Sequence, residues 1–224
     1  MWMFAFAAAL AGTAAPAQSA GALDALVDYQ VRQITSSGVT RTERWQERVV
    51  RRGDVVWVER VLAKGSARAH DDESAAEHLG HKHFNGETAA RWIVRGADGK
   101  LDVHFVDREH RVIVAIPRAE YGTVGFDGSF DGAGSIVPSA TAHAMQRARD
   151  TSAADAQWLV SRSDGWTHRV LWSEARQVAL QVESRRDDGS IERTVRVRPV
   201  AASTRLPWQQ LQGYEQKRYD DFGD

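Results

Sequence analysis

The chain has 224 residues, 29 basic and 30 acidic side chains, a formal net charge of −1 at pH 7, 42% hydrophobic residues and no cysteine. Mixed, nearly balanced charge excludes a nucleic-acid binder that works through bulk attraction to phosphate, and the apolar and aromatic content excludes a disordered chain. Without cysteine there is no thiolate catalysis, no zinc–thiolate centre and no disulfide framework, so stability has to come from packing, with eight Trp to accommodate.

From Met1 to Gln18 there is no charged residue, and Trp2 to Ala11 forms an apolar run too short to span a bilayer of roughly 30 Å. With small residues at Ala15 and Ala17, this reads as a cleavable secretory signal over residues 1–20, followed by a single β-rich domain over 21–224. No later run is long enough for a transmembrane helix, so the mature chain is expected to lack one.

After a short stretch with helical spacing (Leu23, Leu26, Val27), the pattern changes to period two at Val27, Tyr29 and Val31, the mark of a half-buried strand. Ser36 to Gly38 supply a turn, Val39 to Arg51 alternates charged with apolar or aromatic residues, and Arg52 to Asp54 punctuate it before the apolar run Val55 to Leu62. This predicts a three-stranded meander. Its arginines, Arg41, Arg44, Arg48, Arg51 and Arg52, read as a basic strand edge and a solvated face. Further strands are predicted at Arg91–Arg95, Lys100–Val106 and Arg111–Ile116. The glycine-rich stretch Gly122–Gly134 reads as loop, because it lacks the strand, glycine fingerprint and helix order of a dinucleotide site. Ala140–Arg149 favours helix. Gln157–Ser161, Trp166–Trp172, Arg176–Arg185 and Ile191–Arg198 predict a second meander with a hairpin turn at Asp187-Asp188-Gly189. Pro207 followed by Trp208, Leu211, Glu215, Arg218 and Phe222 predicts a C-terminal helix over 207–222. Trp45, Trp57, Trp92, Trp166 and Trp172 are expected in the core.

The segment from Trp166 to Arg198, with Trp-x-His-Arg-Val-Leu-Trp-Ser-Glu, then Val178–Ser184, Asp187-Asp188-Gly189-Ser190 and a final strand, resembles the C-terminal hairpins of the periplasmic superfamily that contains LolA, LolB and RseB. The resemblance lies mainly in residues 157–200 and implies a β-rich α+β fold: a strongly curved, open antiparallel sheet (a half-barrel) with a few short helices. It also implies a hydrophobic cavity that receives acyl chains or a peptide. Residues 69–85 depart from that pattern, and a His-rich loop is expected over 69–86.

Four of the eight histidines lie between His70 and His83. Neutral imidazole is the commonest nitrogen ligand for zinc and copper, and His81 and His83 share a face on a strand, while His78 converges with His81 on a helix or tight turn. The same stretch, His70-Asp71-Asp72-Glu73 onward, also reads as a solvated polar loop. His81-x-His83 with Glu87, together with Gly132, Pro138 and His143, is similar to the two motifs of cupins. That likeness implies three His and one Glu on a metal inside a small β-barrel. The candidate metal ligands are therefore His70, His78, His81, His83, Glu87 and His143, for zinc or copper(II) because nitrogen and oxygen donors suit these ions. Asp107, Glu109 and His110, beside His104, form either an acid–base group or an ordinary surface turn.

No serine-hydrolase elbow or zinc-protease helix motif occurs, so no catalytic residue is assigned. The sequence describes an exported, periplasmic, non-enzymatic binding or accessory protein with a transition-metal site in its His-rich loop. Two alternatives accompany it: a carrier or sensor of lipoprotein acyl chains or other hydrophobic ligands, and a cupin-type metal enzyme. Expected partners are a hydrophobic ligand or another periplasmic protein, not nucleic acid.

Overall fold

A computed structural model describes residues 21–62, 88–150 and 155–222. The expected signal, the whole of the His-rich stretch and Glu87 lie outside the described residues. Among the described residues twelve strands form one sheet: β1 (Leu23–Ile34), β2 (Thr40–Arg52), β3 (Val55–Arg60), β4 (Ala90–Arg95), β5 (Leu101–Asp107), β6 (Val112–Ile116), β7 (Gln146–Arg147), β8 (Gln157–Ser163), β9 (Trp166–Ser173), β10 (Val178–Arg186), β11 (Ile191–Pro199) and β12 (Glu215–Arg218). Two six-residue helices, α1 (Phe130–Ser135) and α2 (Ser139–Ala144), lie between β6 and β7. The strand order is β12-β6-β5-β4-β3-β2-β1-β11-β10-β9-β8-β7. All neighbours are antiparallel except β12, which runs parallel to β6. The fold is thus the expected β-rich α+β class with an open antiparallel sheet.

The two predicted meanders are the two wings of this sheet, joined where β1 pairs with β11. β1 begins earlier than its spacing suggests: Leu23, Ala25 and Val27 alternate into the core, and pairing with β2 and β11 outweighs the weak helical spacing. The Arg41–Arg52 strand is not an edge, since β2 lies between β1 and β3. Inside the glycine-rich stretch a short helix forms, capped by the Ser129 hydroxyl accepting the Gly132 N–H at 2.8 Å. The helix predicted over 140–149 ends at Ala144, and Gln146–Arg147 pair with β8.

The C-terminal helix expected over 207–222 is replaced by a 3-10 turn at Pro207–Gln210, β12, and a second 3-10 turn at Tyr219–Phe222. Gly213 adopts φ +78°, which ends any helix there, and the open edge of β6 supplies the backbone partners that a helix would have supplied internally. Leu206, Trp208, Leu211 and Tyr214 then pack on the outer face of the sheet against Val50, Trp57, Ala90, Trp92, Val106 and Ile113.

The larger core lies on the inner face, where residues of β1–β6 and β8–β11 meet Phe126, Val137 and Ala142. α1 touches β2, β3 and β10. A flat sheet would hold β3 and β10 about 19 Å apart, four strand spacings, so the sheet curls around the helix. Arg51 of β2 fixes that closure. Its side chain is buried, and its guanidinium donates to four backbone carbonyls: Nε to Gly21 at 2.9 Å, Nη1 to Gly134 and Gln177 at 2.9 Å each, and Nη2 to Arg176 at 2.7 Å. One side chain thereby joins the start of β1, the end of α1 and the β9–β10 turn. Gly134 makes room for it, since a Cβ there would lie 2.9 Å from Arg51 Cδ and 3.1 Å from Val56 Cγ2.

Replacing Arg51 by Met should leave these carbonyls unpaired and lower unfolding free energy by about 3–5 kcal/mol. Gly134→Ala should cost about 1–3 kcal/mol through overpacking. Urea unfolding read by tryptophan fluorescence checks both, with the exposed Arg44→Ala as a variant whose midpoint stays nearly unchanged.

Candidate functional site

α1 and α2 fill one half of the inner face, with Phe130, Ala133, Ile136 and Met145 packed against the strand core. Along the other half the character of the face changes abruptly. Register places Trp45, Tyr29, Val195, Val182, Val170 and Leu159 in one row across β2, β1, β11, β10, β9 and β8. The next inward-facing row, in the same strand order, is Glu43, Val31, Arg193, Ser184, His168 and Ser161. An apolar band therefore gives way to polar and charged side chains within one step of about 7 Å along the strands.

Two aromatic–cation groups frame this boundary. In the first, the rings of Tyr29 and Trp45 stack 5.0 Å apart at 8°, and the Arg60 guanidinium lies 5.1 Å from the Trp45 ring centre. Burial, and then Glu47 hydrogen-bonded to it, push the Tyr29 phenol well above its ordinary value, against the pull of Arg91 and Arg60. In the second, Trp166 stacks on His168 at 5.9 Å and 8°, and Arg193 lies 5.0 Å from the Trp166 ring centre. His168 Nδ1 and Ser184 Oγ are 2.8 Å apart. Burial and the neighbouring Arg193 hold His168 below the usual imidazole range, so it is neutral near pH 7. Trp45 and Trp166, expected in the core, are only half buried here, while Trp57 and Trp172 are buried.

Of the candidate metal ligands, His70, His78, His81, His83 and Glu87 lie outside the described residues. His143 is described, on α2. Its Nε2 is 3.1 Å from Glu174 Oε2, the oxygen that also accepts from Trp172 Nε1 at 2.8 Å, and its ring meets the Trp172 ring edge-on. Among the described residues no three His, Asp or Glu side chains are placed to hold a metal ion. Nor do β7 and β12 pair to close a barrel, so the sheet differs from the barrel that the cupin likeness implies. Asp107 accepts the backbone N–H groups of Glu109 and His110 at 3.0 Å and contacts His110 Nδ1 at 2.8 Å, which makes this group a turn. His104 points to the outer face and packs against Trp92, with ring centres 5.1 Å apart.

Sequence reasoning did not single out Arg60, Arg91 or Arg193. The signal was available in the alternation: each arginine has the parity of its strand's inward-facing residues, such as Val58, Ile93 and Val195.

No family model matches the chain, and no curated protein does. Solved structures do. An uncharacterized conserved protein from Thermus thermophilus is similar at 13% identity and a TM-score of 0.43, with 86% of this chain and 90% of that one covered. A LolA superfamily protein from Nitrosomonas europaea is similar at 9% identity and a TM-score of 0.32, covering 84% and 90%. MucB in the MucA/MucB complex of Pseudomonas aeruginosa is similar at 11% identity and a TM-score of 0.31, covering 85% of this chain and 55% of that one. Among the described residues no helix is long and apolar enough to cross a membrane.

His104, like His168, is held below its usual range, chiefly by burial. As pH falls through about 6.5 the unfolded chain takes up protons that the folded chain refuses, so the stability these neutral rings contribute is full above that pH and lost below it. The variant His104→Phe should therefore lose less stability than the parent between about pH 7.5 and 5.5 in urea titrations. Equal losses would show that this ring does not carry the dependence.

Proposed function

We propose that the chain is an exported, periplasmic, non-enzymatic binding protein that carries or senses the acyl chains of a lipidated protein on the inner face of its sheet. The observation that carries this reading is the step from the apolar row Trp45 to Leu159 to the polar row containing Arg193, Ser184 and His168. Such a face suits an amphiphile. Val195, Val182 and Val170 are already buried, so acyl methylenes lie against the half-buried Trp45 and Tyr29 at the end of the row, each methylene worth roughly 0.8 kcal/mol when removed from water. The stacked rings provide rigid contact area, and the arginines and the Ser184–His168 pair meet the polar region where acyl chains join the protein. The uncharged apolar segment before Gln18 supports export.

The test is calorimetric titration with a synthetic diacylated lipopeptide and the same peptide without acyl groups. The acylated peptide should bind and the bare one should not, and Trp45→Ala and Trp166→Ala should each weaken binding by about tenfold, or about 1.4 kcal/mol. Binding of the bare peptide as tightly as the acylated one would replace the lipid reading with a peptide-binding one, and no binding of either would overturn both.

The transition-metal reading rests on the histidine cluster in the sequence, and the same protein separates it. Changing His78, His81 and His83 together to Ala should leave lipopeptide affinity unchanged. Stoichiometric zinc or copper(II) that is lost in this variant would establish a metal site as well.

A further inference from the structure

The opposite, outer face of the sheet holds two grooves that meet at Thr194, of about 300 Å³ and 680 Å³. Their charges differ. The larger is lined by Arg169 and Arg185 against Glu183, Asp187 and Glu192, a net negative set, because Arg193, which also borders it, turns its guanidinium inward over Trp166. The smaller is lined by the outward side chains of Arg44, Arg196, Asp28, Gln30, Gln46 and Thr194, with Tyr29 and Trp45 bordering it from strands on which their side chains have the inward parity, and its outward side chains carry net positive charge.

The register makes the smaller groove a compact patch of outward side chains. Gln46, Asp28 and Arg196 stand opposite one another across β2, β1 and β11, and Arg44, Gln30 and Thr194 form the adjoining row. Both oxygens of Asp28, the one carboxylate in the patch, are engaged: Oδ1 accepts from Gln46 Nε2 at 2.7 Å and Oδ2 from Arg198 Nε at 3.0 Å. Arg198 therefore balances Asp28. The other two guanidiniums keep their hydrogen-bonding capacity: Arg44 donates only to the neutral Gln30 amide at 3.3 Å, and Arg196 attracts Asp28 through space without a hydrogen bond or ion pair among the described residues. Because Gln30 Oε1 receives Arg44, the amide NH₂ of Gln30 is left as a further donor beside the Thr194 hydroxyl.

From this arrangement we infer that the groove between Arg44 and Arg196 is a binding site for a phosphate-type oxyanion, on the face opposite the acyl-binding surface. Two planar guanidiniums with hydroxyl and amide donors between them match the several acceptor oxygens of a tetrahedral anion. That chemistry has two sources, a free phosphate and the headgroup of an anionic phospholipid.

The test uses the protein with inorganic phosphate in one arm and vesicles of phosphatidylglycerol or phosphatidylcholine in the other. Arg44 and Arg196 are exposed, so the double variant R44Q/R196Q should unfold at the parent's urea midpoint. It should lose at least about tenfold in affinity for whichever phosphate source the parent binds. Phosphate binding that the double variant loses assigns a site for small anions. Binding confined to phosphatidylglycerol vesicles, and lost in the same variant, assigns a membrane headgroup site. Arg162→Gln, an exposed arginine of β8 outside the groove, should leave binding unchanged. The inference is overturned if R162Q weakens binding as much as the double variant, if the double variant binds like the parent, or if the parent binds neither probe.

Discussion

The fold depends on one buried cation. Arg51 sits near the middle of the strand order, on the inner face, and directs its guanidinium to backbone carbonyls from three places that the chain separates widely: Gly21, Gly134 and the Arg176–Gln177 turn. A guanidinium has five N–H donors in a rigid planar fork, so it can hold several carbonyls at fixed angles, which an ammonium on a flexible stem cannot. Taking such a charge out of water is costly, and burial pulls the Arg51 pKa down accordingly, while Asp131 opposes the shift. The charge is tolerated because the carbonyls replace its water. Their positions in turn require the sheet to curl, so the two wings face a common helix instead of spreading flat.

Curling sorts the sheet into regions with different chemistry. Where α1 and α2 press against the strands the inner face is dry and aliphatic, and where they end it becomes aromatic and then polar. The same strands turn a second set of residues outward. At the β3–β6 wing that outer set is apolar, with Trp57, Ala90, Val106 and Ile113 covered by the C-terminal segment. At the β1, β2 and β9–β11 end it is charged, with ion pairs such as Arg32–Glu192 and Arg169–Glu183 alongside the unbalanced Arg44 and Arg196. Alternation along a strand makes this possible, because each residue step reverses the face and one strand can serve two surfaces.

The C-terminal segment shows how a sheet edge recruits chain. Trp208, Leu211, Glu215, Arg218 and Phe222 have spacing that suits a helix, and in isolation the helix satisfies its own backbone. Next to the open edge of β6 the balance shifts. Residues Glu215–Arg218 pair in parallel with Val112–Ala115, the aromatic side chains before them cover the outer apolar cluster, and β6 no longer presents an unpaired edge.

What the sequence by itself determined is local: the period-two strands, the turns at Ser36–Gly38 and Asp187–Gly189, and the two meanders all follow from alternation and turn chemistry within a few residues. The late hairpins likewise carried the likeness that implied an open curved sheet. Only the tertiary structure decided what depends on distant partners. Arg51 shares its inward parity with Arg41, and nothing nearby in sequence marks it as the buried one, because its acceptors come from Gly21, Gly134 and residues 176–177. Arg193 and Trp166 meet only because β9, β10 and β11 pair in that register, and Arg44 and Arg196 share a groove only because β1 lies between their strands. Hydrophobic alternation reports which way a side chain points, whereas what it points at is set by strand order, and strand order is a property of the whole chain.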